Sequence, residues 1–315
     1  MYDRLFPTAF LAGILIFLLY FITLAPPLDF PAGTYLRITQ GESVAQAAQA
    51  LKSRGLIRSR AVFEGLVRLF GSGTHIYAGE YFFAGKESAW TVAQRLSYGD
   101  YELIPVRLVF YEGLTVKQMA DLLGKKVPDF DVQEFLSLGS PKEGYLFPDT
   151  YFVLPGEEAG ILVGAMERNL NNHIASASTT VAKFGKPLSD VITMASLIER
   201  EAPDMHDRQI IAGILWKRLA IGMPLQVDAV FPYILNKAGT ELTKDDLKVD
   251  SPYNTYLHYG LPPGPIANPG MTSILAAVTP IKTNYLYYLS DKQGNFHYSA
   301  TYAGQLANSR KYLGH

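Results

Sequence analysis

From Leu5 to Leu28 the chain carries no charged residue, and the centre of this stretch, AFLAGILIFLLYFITLA at 9–25, is apolar almost throughout. A helix of about 20 such residues spans the hydrocarbon core of a bilayer. The run is long for a cleaved signal peptide, so residues 1–28 are expected to form a short cytoplasmic tip and a transmembrane anchor. No second run of this kind follows. Arg4 is nearly cancelled by Asp3, so charge alone sets the orientation weakly. The few residues ahead of the anchor lead us to expect a single-pass protein of the cytoplasmic (inner) membrane, with its body on the periplasmic or extracytoplasmic side.

Beyond a Pro/Gly-rich spacer a second pattern recurs. ITQGESVAQAAQAL (38–51) and VFYEGLTVKQMADLL (109–123) each read as a strand-like start, a glycine turn, a Ser or Thr cap and an amphipathic helix. Gly41 and Gly113 are followed at equal spacing by Ser43 or Thr115, Val44 or Val116, Ala48 or Ala120, and Leu51 or Leu123. FFAGKESAWTVAQRL (82–96) fits with one inserted residue, through Gly85, Ser88, Ala93 and Leu96. The match predicts a repeated strand–turn–helix unit, usable as scaffold or as a glycan-binding surface. Downstream, the spacing predicts helices over 160–173, 189–202, 207–221 and 272–278, and a strand within 283–291. Strands and helices mix without regular βαβ alternation, so the expected class is α+β. The expected organisation is an anchor at 1–28, a small subdomain at 29–100 and a larger mixed α/β domain at 101–315.

The helix over 189–202 contains MASLIEREAPD (194–204). Ser189 is placed to cap it and Pro203 to end it. Val191, Met194, Ala195, Ile198 and Ala202 follow the spacing of a buried face, yet Glu199 and Glu201 close the run. At about 100° per residue, Glu199 falls between Ile192 and Ala195, and Glu201 between Leu197 and Met194. Both acids border apolar residues, and the wheel does not rank them.

Composition narrows the chemistry. A formal net charge of −1, with no basic run interleaved with aromatics, argues against a nucleic-acid partner. The chain has no cysteine, which removes disulfides, thiolate metal sites and a Cys nucleophile. Its histidines are dispersed, and no H-E-x-x-H, G-x-S-x-G, S-x-x-K, Walker or G-x-G-x-x-G pattern occurs. What remains is carboxylates beside unusual loops. SPYNTYLHYGLPPGPIANPG (251–270) sets Tyr253, Asn254, Thr255, Tyr256 and Asn268 among prolines and glycines, a segment with little conformational freedom to lose. Cleaving a glycosidic bond needs a proton delivered to the leaving oxygen, and a carboxylic acid does this when burial raises its pKa toward neutrality. Hydrolases add a second carboxylate across the cleft. A lyase avoids it, because the sugar's own 6-hydroxyl attacks the anomeric carbon and one carboxyl donates and then accepts the proton.

Five ordered segments, EGYLFPDTY (143–151), MASLIEREA (194–202), IGMPLQVDAVFPYIL (221–235), SPYNTYLHYGLPPGPIANPG (251–270) and GNFHYSATYAGQ (294–305), resemble the YceG-like endolytic murein transglycosylases. The resemblance covers essentially the whole chain. It implies a LysM-like region at 29–100 and a catalytic domain at 101–315. In the family's A-S-[ILV]-[IV]-E-[KR]-E motif the first glutamate is catalytic, which carries over to Glu199; Glu201 is left an orienting, substrate-facing or structural role. It further implies a cleft lined by Gln226, Asp228, Tyr253, Asn254, Tyr256, Pro263, Asn268 and Tyr145. Where relatives read L-Q-[ST]-D-P-[ST], this chain has Leu-Gln-Val-Asp-Ala-Val, so a hydroxyl role there has no counterpart. The implied activity is cleavage between N-acetylmuramic acid and N-acetylglucosamine in nascent peptidoglycan strands, leaving 1,6-anhydro ends and terminating elongation. No metal or cofactor is implied; the implied partners are glycan strands and penicillin-binding synthases. The competing readings are a non-catalytic peptidoglycan-binding or divisome scaffold, and a hydrolase giving reducing ends.

Overall fold

The two glycines that head the repeat, Gly41 and Gly113, adopt φ of 83° and 81°, a left-handed backbone that a residue with a Cβ reaches only with strain. Gly85, where the repeat carries its extra residue, has no such φ. In the computed structural model, which describes residues 14, 17–70, 75–235 and 243–314, the chain divides into two units, 1–105 and 106–315. Most of the anchor expected over 1–28 lies outside the described residues. Residues 17–23 are helical, and among the described residues no helix is long and apolar enough to cross a membrane.

The first unit runs β1 (Thr34–Ile38), α1 (Val44–Ser53), α2 (Arg60–Leu69), β2 (Gly79–Phe83) and α3 (Ala89–Tyr98). β1 and β2 pair antiparallel, with Thr34 opposite Phe83 and Ile38 opposite Gly79. Leu36, Ile38, Phe63, Val67, Tyr81 and Phe83 share one core with the apolar faces of α1 and α3. The second unit opens with β3 (Val106–Val109) and α4 (Val116–Lys126), so the third copy of the repeat belongs to a different unit from the first two. All three helices start alike. Ser43, Ser88 and Thr115 each accept the backbone N–H three residues on, which satisfies one of the otherwise unpaired donors of the first turn. Ala48, Ala93 and Ala120, then Leu51, Leu96 and Leu123, are all at most 1% exposed. The repeat is therefore a packing repeat: its shared positions turn, cap and bury.

After α4 come α5 (Val132–Gly139), β4 (Thr150–Val153) and α6 (Ala159–Ser176). β4 pairs antiparallel with β3, and Leu108, Met119, Phe135, Leu146 and Met166 form the core between them and the helices. The rest builds a second core around α8. α7 (Ser178–Phe184), α8 (Leu188–Glu199), α9 (Met205–Ala220), α10 (Val230–Leu235) and α11 (Met271–Val278) surround Val191, Met194, Ile198, Ile211, Leu215 and Phe231. A hairpin of β5 (Tyr287–Ser290) and β6 (Phe296–Ser299) and a last α-helix, α12 (Tyr302–Asn308), which runs on into a π-helical turn at Ser309–Leu313, complete the unit. The chain is thus mixed α/β, with helices and three two-stranded antiparallel sheets among the described residues.

α8 corrects the sequence reading at both ends. It begins at Leu188 after Pro187 with no side-chain cap, and the Ser189 hydroxyl turns to Asp190 instead. It ends at Glu199, three residues short of the expectation. The Arg200 and Glu201 N–H groups reach back three residues, to Leu197 and Ile198 carbonyls at 3.2 and 3.0 Å, which tightens the last turn. Pro203 then has no N–H to continue the ladder. Glu201 stands off the helix, so the wheel that sets it between Leu197 and Met194 does not apply.

Asn268 staples the unit together. Fully buried, it donates to the Leu114 carbonyl and Glu143 Oε1 at 3.0 and 2.8 Å and accepts the Leu146 N–H at 3.0 Å. Removing it strands buried donors and acceptors on two other segments. Asn268→Ala is expected to lower unfolding free energy by roughly 2–4 kcal/mol in chemical denaturation; a loss below about 0.5 kcal/mol would mean the staple is dispensable.

Candidate active site

Asp204 caps α9 by accepting the Asp207 N–H at 3.0 Å, and one turn later Arg208 faces back toward the end of α8. Its Nε donates to the Ala202 carbonyl and its Nη2 to Glu199 Oε1, both at 2.7 Å. Glu199 Oε2 accepts the Gly270 N–H at 2.9 Å. The side chains are 4% and 8% exposed for Glu199 and Arg208, so this is a buried ion pair with both carboxylate oxygens in use. Glu112 lies against Gly270, and burial together with the Glu199 charge raises its pKa. Arg200 leaves the turn in another direction and donates to the Gly113 carbonyl at 2.9 Å.

Glu201 emerges on the far side of the same turn, into a cavity of about 430 Å³ that Glu199 does not line. That volume suits a ligand of a few rings. Arg218 from α9, Gln226 and Asp228 from the segment before α10, Tyr256 from the proline-rich loop, Tyr287 and Tyr288 from β5, and Gln305 from α12 form the wall. Tyr288 donates its hydroxyl to Glu201 Oε2 at 2.9 Å. Tyr256 donates to Asp228 Oδ1 at 2.5 Å. Buried Thr255 fixes this side of the cavity, accepting the Gln226 N–H on its carbonyl at 3.1 Å and the Val227 N–H on its hydroxyl at 2.9 Å. Gln226 itself holds φ of 50°, a strained conformation for a residue with a Cβ. Arg218 donates Nε to the Leu286 carbonyl at 2.7 Å and Nη1 to that of Leu225, tying β5 to the Gln226 segment.

Desolvation pushes the Glu201 carboxyl up to about 7, against the hydrogen bond from Tyr288 and with help from the Asp228 charge. This is the protonation behaviour a general acid near neutral pH requires. Glu143 also rises to about 7 by burial, but the Val116 and Gly144 N–H groups and Asn268 engage it as a structural acceptor. Among the described residues no group of His, Asp and Glu is placed to hold a metal ion.

The sequence-derived site residues thus separate. Glu201, Gln226, Asp228 and Tyr256 meet in the cavity. Glu199 does not join them, because Arg208 and Gly270 hold it on the other side of the turn. Asn254 and Asn268 are fully buried scaffold; Asn254 donates to the Leu247 and Val249 carbonyls and accepts the Tyr256 N–H, which shapes the loop. Tyr253 packs on Tyr233 with ring centroids 5.1 Å apart, Tyr145 packs on the second core, and Pro263 is exposed on the loop; none lines the cavity. Sequence reasoning did not single out Arg218, Tyr287, Tyr288 or Gln305. The tyrosine-rich run TNYLYYLSD and the Gln in GNFHYSATYAGQ were visible, but only strand pairing shows which tyrosine faces an acid.

The YceG-like family profile matches residues 36–311. A Bacillus subtilis endolytic murein transglycosylase is 31% identical, aligned over 94% of this chain and 89% of its own length. A Streptococcus pneumoniae protein of the same name is 27% identical over 87% of this chain, which spans 57% of that longer relative. The crystal structure of a YceG-like protein from Listeria monocytogenes superposes with a TM-score of 0.60 at 29% identity, covering 88% of this chain and 99% of the other.

The two glutamates should respond differently to the same change. Folded Glu201 holds its proton up to about pH 7, whereas the unfolded carboxyl loses it near 4.5. Stability from this group is therefore present at low pH and lost as pH rises across that window. Glu201→Gln is expected to reduce that slope in denaturation midpoints, leaving the parts due to Glu143, Glu112 and Glu87, which burial also raises. Glu199→Gln should instead lower stability at neutral pH, on the order of 3 kcal/mol, because Arg208 stays buried without its counter-charge. The reverse pattern would exchange the roles assigned to the two residues.

Proposed function

The chain belongs to the YceG-like family, and on that premise we propose that it is an endolytic murein transglycosylase, cutting between N-acetylmuramic acid and N-acetylglucosamine within peptidoglycan strands. The observation that carries the reading is the Glu201 carboxyl: it sits in the wall of a cavity, accepts a phenol, and keeps its proton near neutral pH. Glu201 donates that proton to the glycosidic oxygen as the bond from the anomeric carbon breaks. The 6-hydroxyl of the same muramyl residue attacks the anomeric carbon, and the Glu201 carboxylate takes the hydroxyl proton. Water is not consumed, and the acid returns to its starting form. Asp228, oriented by Tyr256, supplies negative charge toward the cationic anomeric centre.

This assignment moves the catalytic role from Glu199 to Glu201. Glu199 has an arginine and a backbone N–H on its two oxygens and no exposure to the cavity. Its part is to fix the turn that presents Glu201. A second reading has an observation behind it: Asp228 is another carboxylate in the same cavity, as a hydrolase would need.

The wider setting belongs to the same proposal. The apolar stretch at 9–25 supports a single membrane anchor, with the body outside the cytoplasm where new strands emerge. The order β1–α1–α2–β2 supports a LysM-like reading of the first unit. Nascent glycan strands are the substrate, and penicillin-binding synthases are the partners that would supply them.

Incubating the protein with purified glycan strands and weighing the products tests the activity. Anhydro ends are expected, with Glu201→Gln inactive yet folded; products one water heavier would establish the hydrolase, and intact strands the scaffold. Protease added to intact spheroplasts is expected to degrade the body of the protein, and a protected body would refute the orientation.

A further inference from the structure

We infer that Tyr288 is a positioning residue for this reaction: its hydroxyl, donated at 2.9 Å, holds the Glu201 carboxyl in place, and the C-terminal segment holds Tyr288 through Gln305. The inference rests on the reading of Glu201 as the acid. Glu201 is carried on a turn beyond α8, so helical geometry does not set the direction of its side chain. A long carboxyl side chain on such a turn needs an external partner to hold one rotamer. Tyr288 is that partner, and its own position is fixed from both sides. Opposite it in the hairpin is Tyr298, whose hydroxyl donates to Asp207 in the first turn of α9. From α12, Gln305 Nε2 donates to the Tyr288 carbonyl at 3.0 Å. The last helix therefore contributes both a wall of the cavity and the clamp on the strand that carries the phenol.

The surroundings of the carboxyl suit this role. Arg218 faces it from α9, Asp228 and the Ala229 N–H from the segment before α10, and Tyr288 from β5. Arg218, the N–H and the phenol favour the ionised acid, while desolvation and Asp228 oppose them. Tyr288 is itself held well above the ordinary tyrosine range by burial and by Glu201. It stays a neutral donor wherever the enzyme works, able to follow the carboxyl through both proton transfers without titrating.

Steady-state rates of the full chain on purified glycan strands, from about pH 5 to about pH 9, test this. Tyr288→Phe keeps the ring and removes the donor. Its kcat is expected to fall about tenfold, the size of one lost hydrogen bond to a charged group, with KM changed by less than roughly twofold. The alkaline limb of the profile should move to higher pH, because the lost phenol favoured ionised Glu201. A purely structural tyrosine would lower the rate without moving the limb. Gln305→Ala, which leaves the ring untouched, should move the limb the same way by a smaller amount. Tyr285→Phe, outside the cavity, should match wild type. If wild type makes no anhydro ends or Glu201→Gln stays active, the reading of the site fails. An active wild type, an inactive Glu201→Gln, and an unmoved limb in both Tyr288→Phe and Gln305→Ala overturn this inference alone.

Discussion

The separation of the two glutamates depends on one arginine reaching across one turn. Arg208 holds both the Glu199 carboxylate and the Ala202 carbonyl, so the residues between them cannot change course without breaking a buried charge-assisted hydrogen bond. Gly270 adds the start of α11 to the same knot. An ion pair of this kind contributes little net stability over an apolar packing, because desolvating both charges offsets most of their attraction. Its contribution here is direction: it fixes where the chain points as it leaves α8.

That direction separates two acids of the same type that stand two positions apart. Glu199 ends inside the protein on a cation and a peptide N–H, and Glu201 ends on a phenol at the edge of a cavity. Two environments then give two behaviours, one a carboxylate tied to Arg208 and Gly270 and the other a carboxyl that burial raises toward neutrality. The opposite wall is built with equal care for orientation. Thr255 bonds both the Gln226 and Val227 N–H groups, and the strain at Gln226 is maintained by those contacts.

Much of the fold was legible in the sequence because the signals were local. A glycine turn, a capping hydroxyl and buried Ala and Leu positions all fall within about a dozen residues; the capped, buried helix is present in all three copies and the left-handed glycine in two. The long helices were also legible, to within a few residues. What the chain did not disclose is long-range. β3 pairs with β4 across forty intervening positions, and no local pattern names that partner. Periodicity left Glu199 and Glu201 unranked for the same reason. Periodicity treats a helix as continuing until a proline, but this one closes three residues earlier through backward hydrogen bonds. Nothing near MASLIEREA identifies Arg208 as the clamp or Tyr288 as the partner. The family motif points to Glu199, and it is the partners of each acid that support the proposed exchange of roles.

The early close of α8 has a consequence for how such a chain can drift. Between Glu199 and Pro203 the number of residues matters more than their kinds, since a turn of fixed length carries one acid inward and the next outward. A substitution there alters one contact, but a one-residue insertion or deletion shifts the phase of the whole turn. Glu199, the last helical residue, would stay on Arg208, while Glu201 would be carried away from Tyr288. Length, rather than composition, is what this segment must hold constant for Glu201 to reach Tyr288.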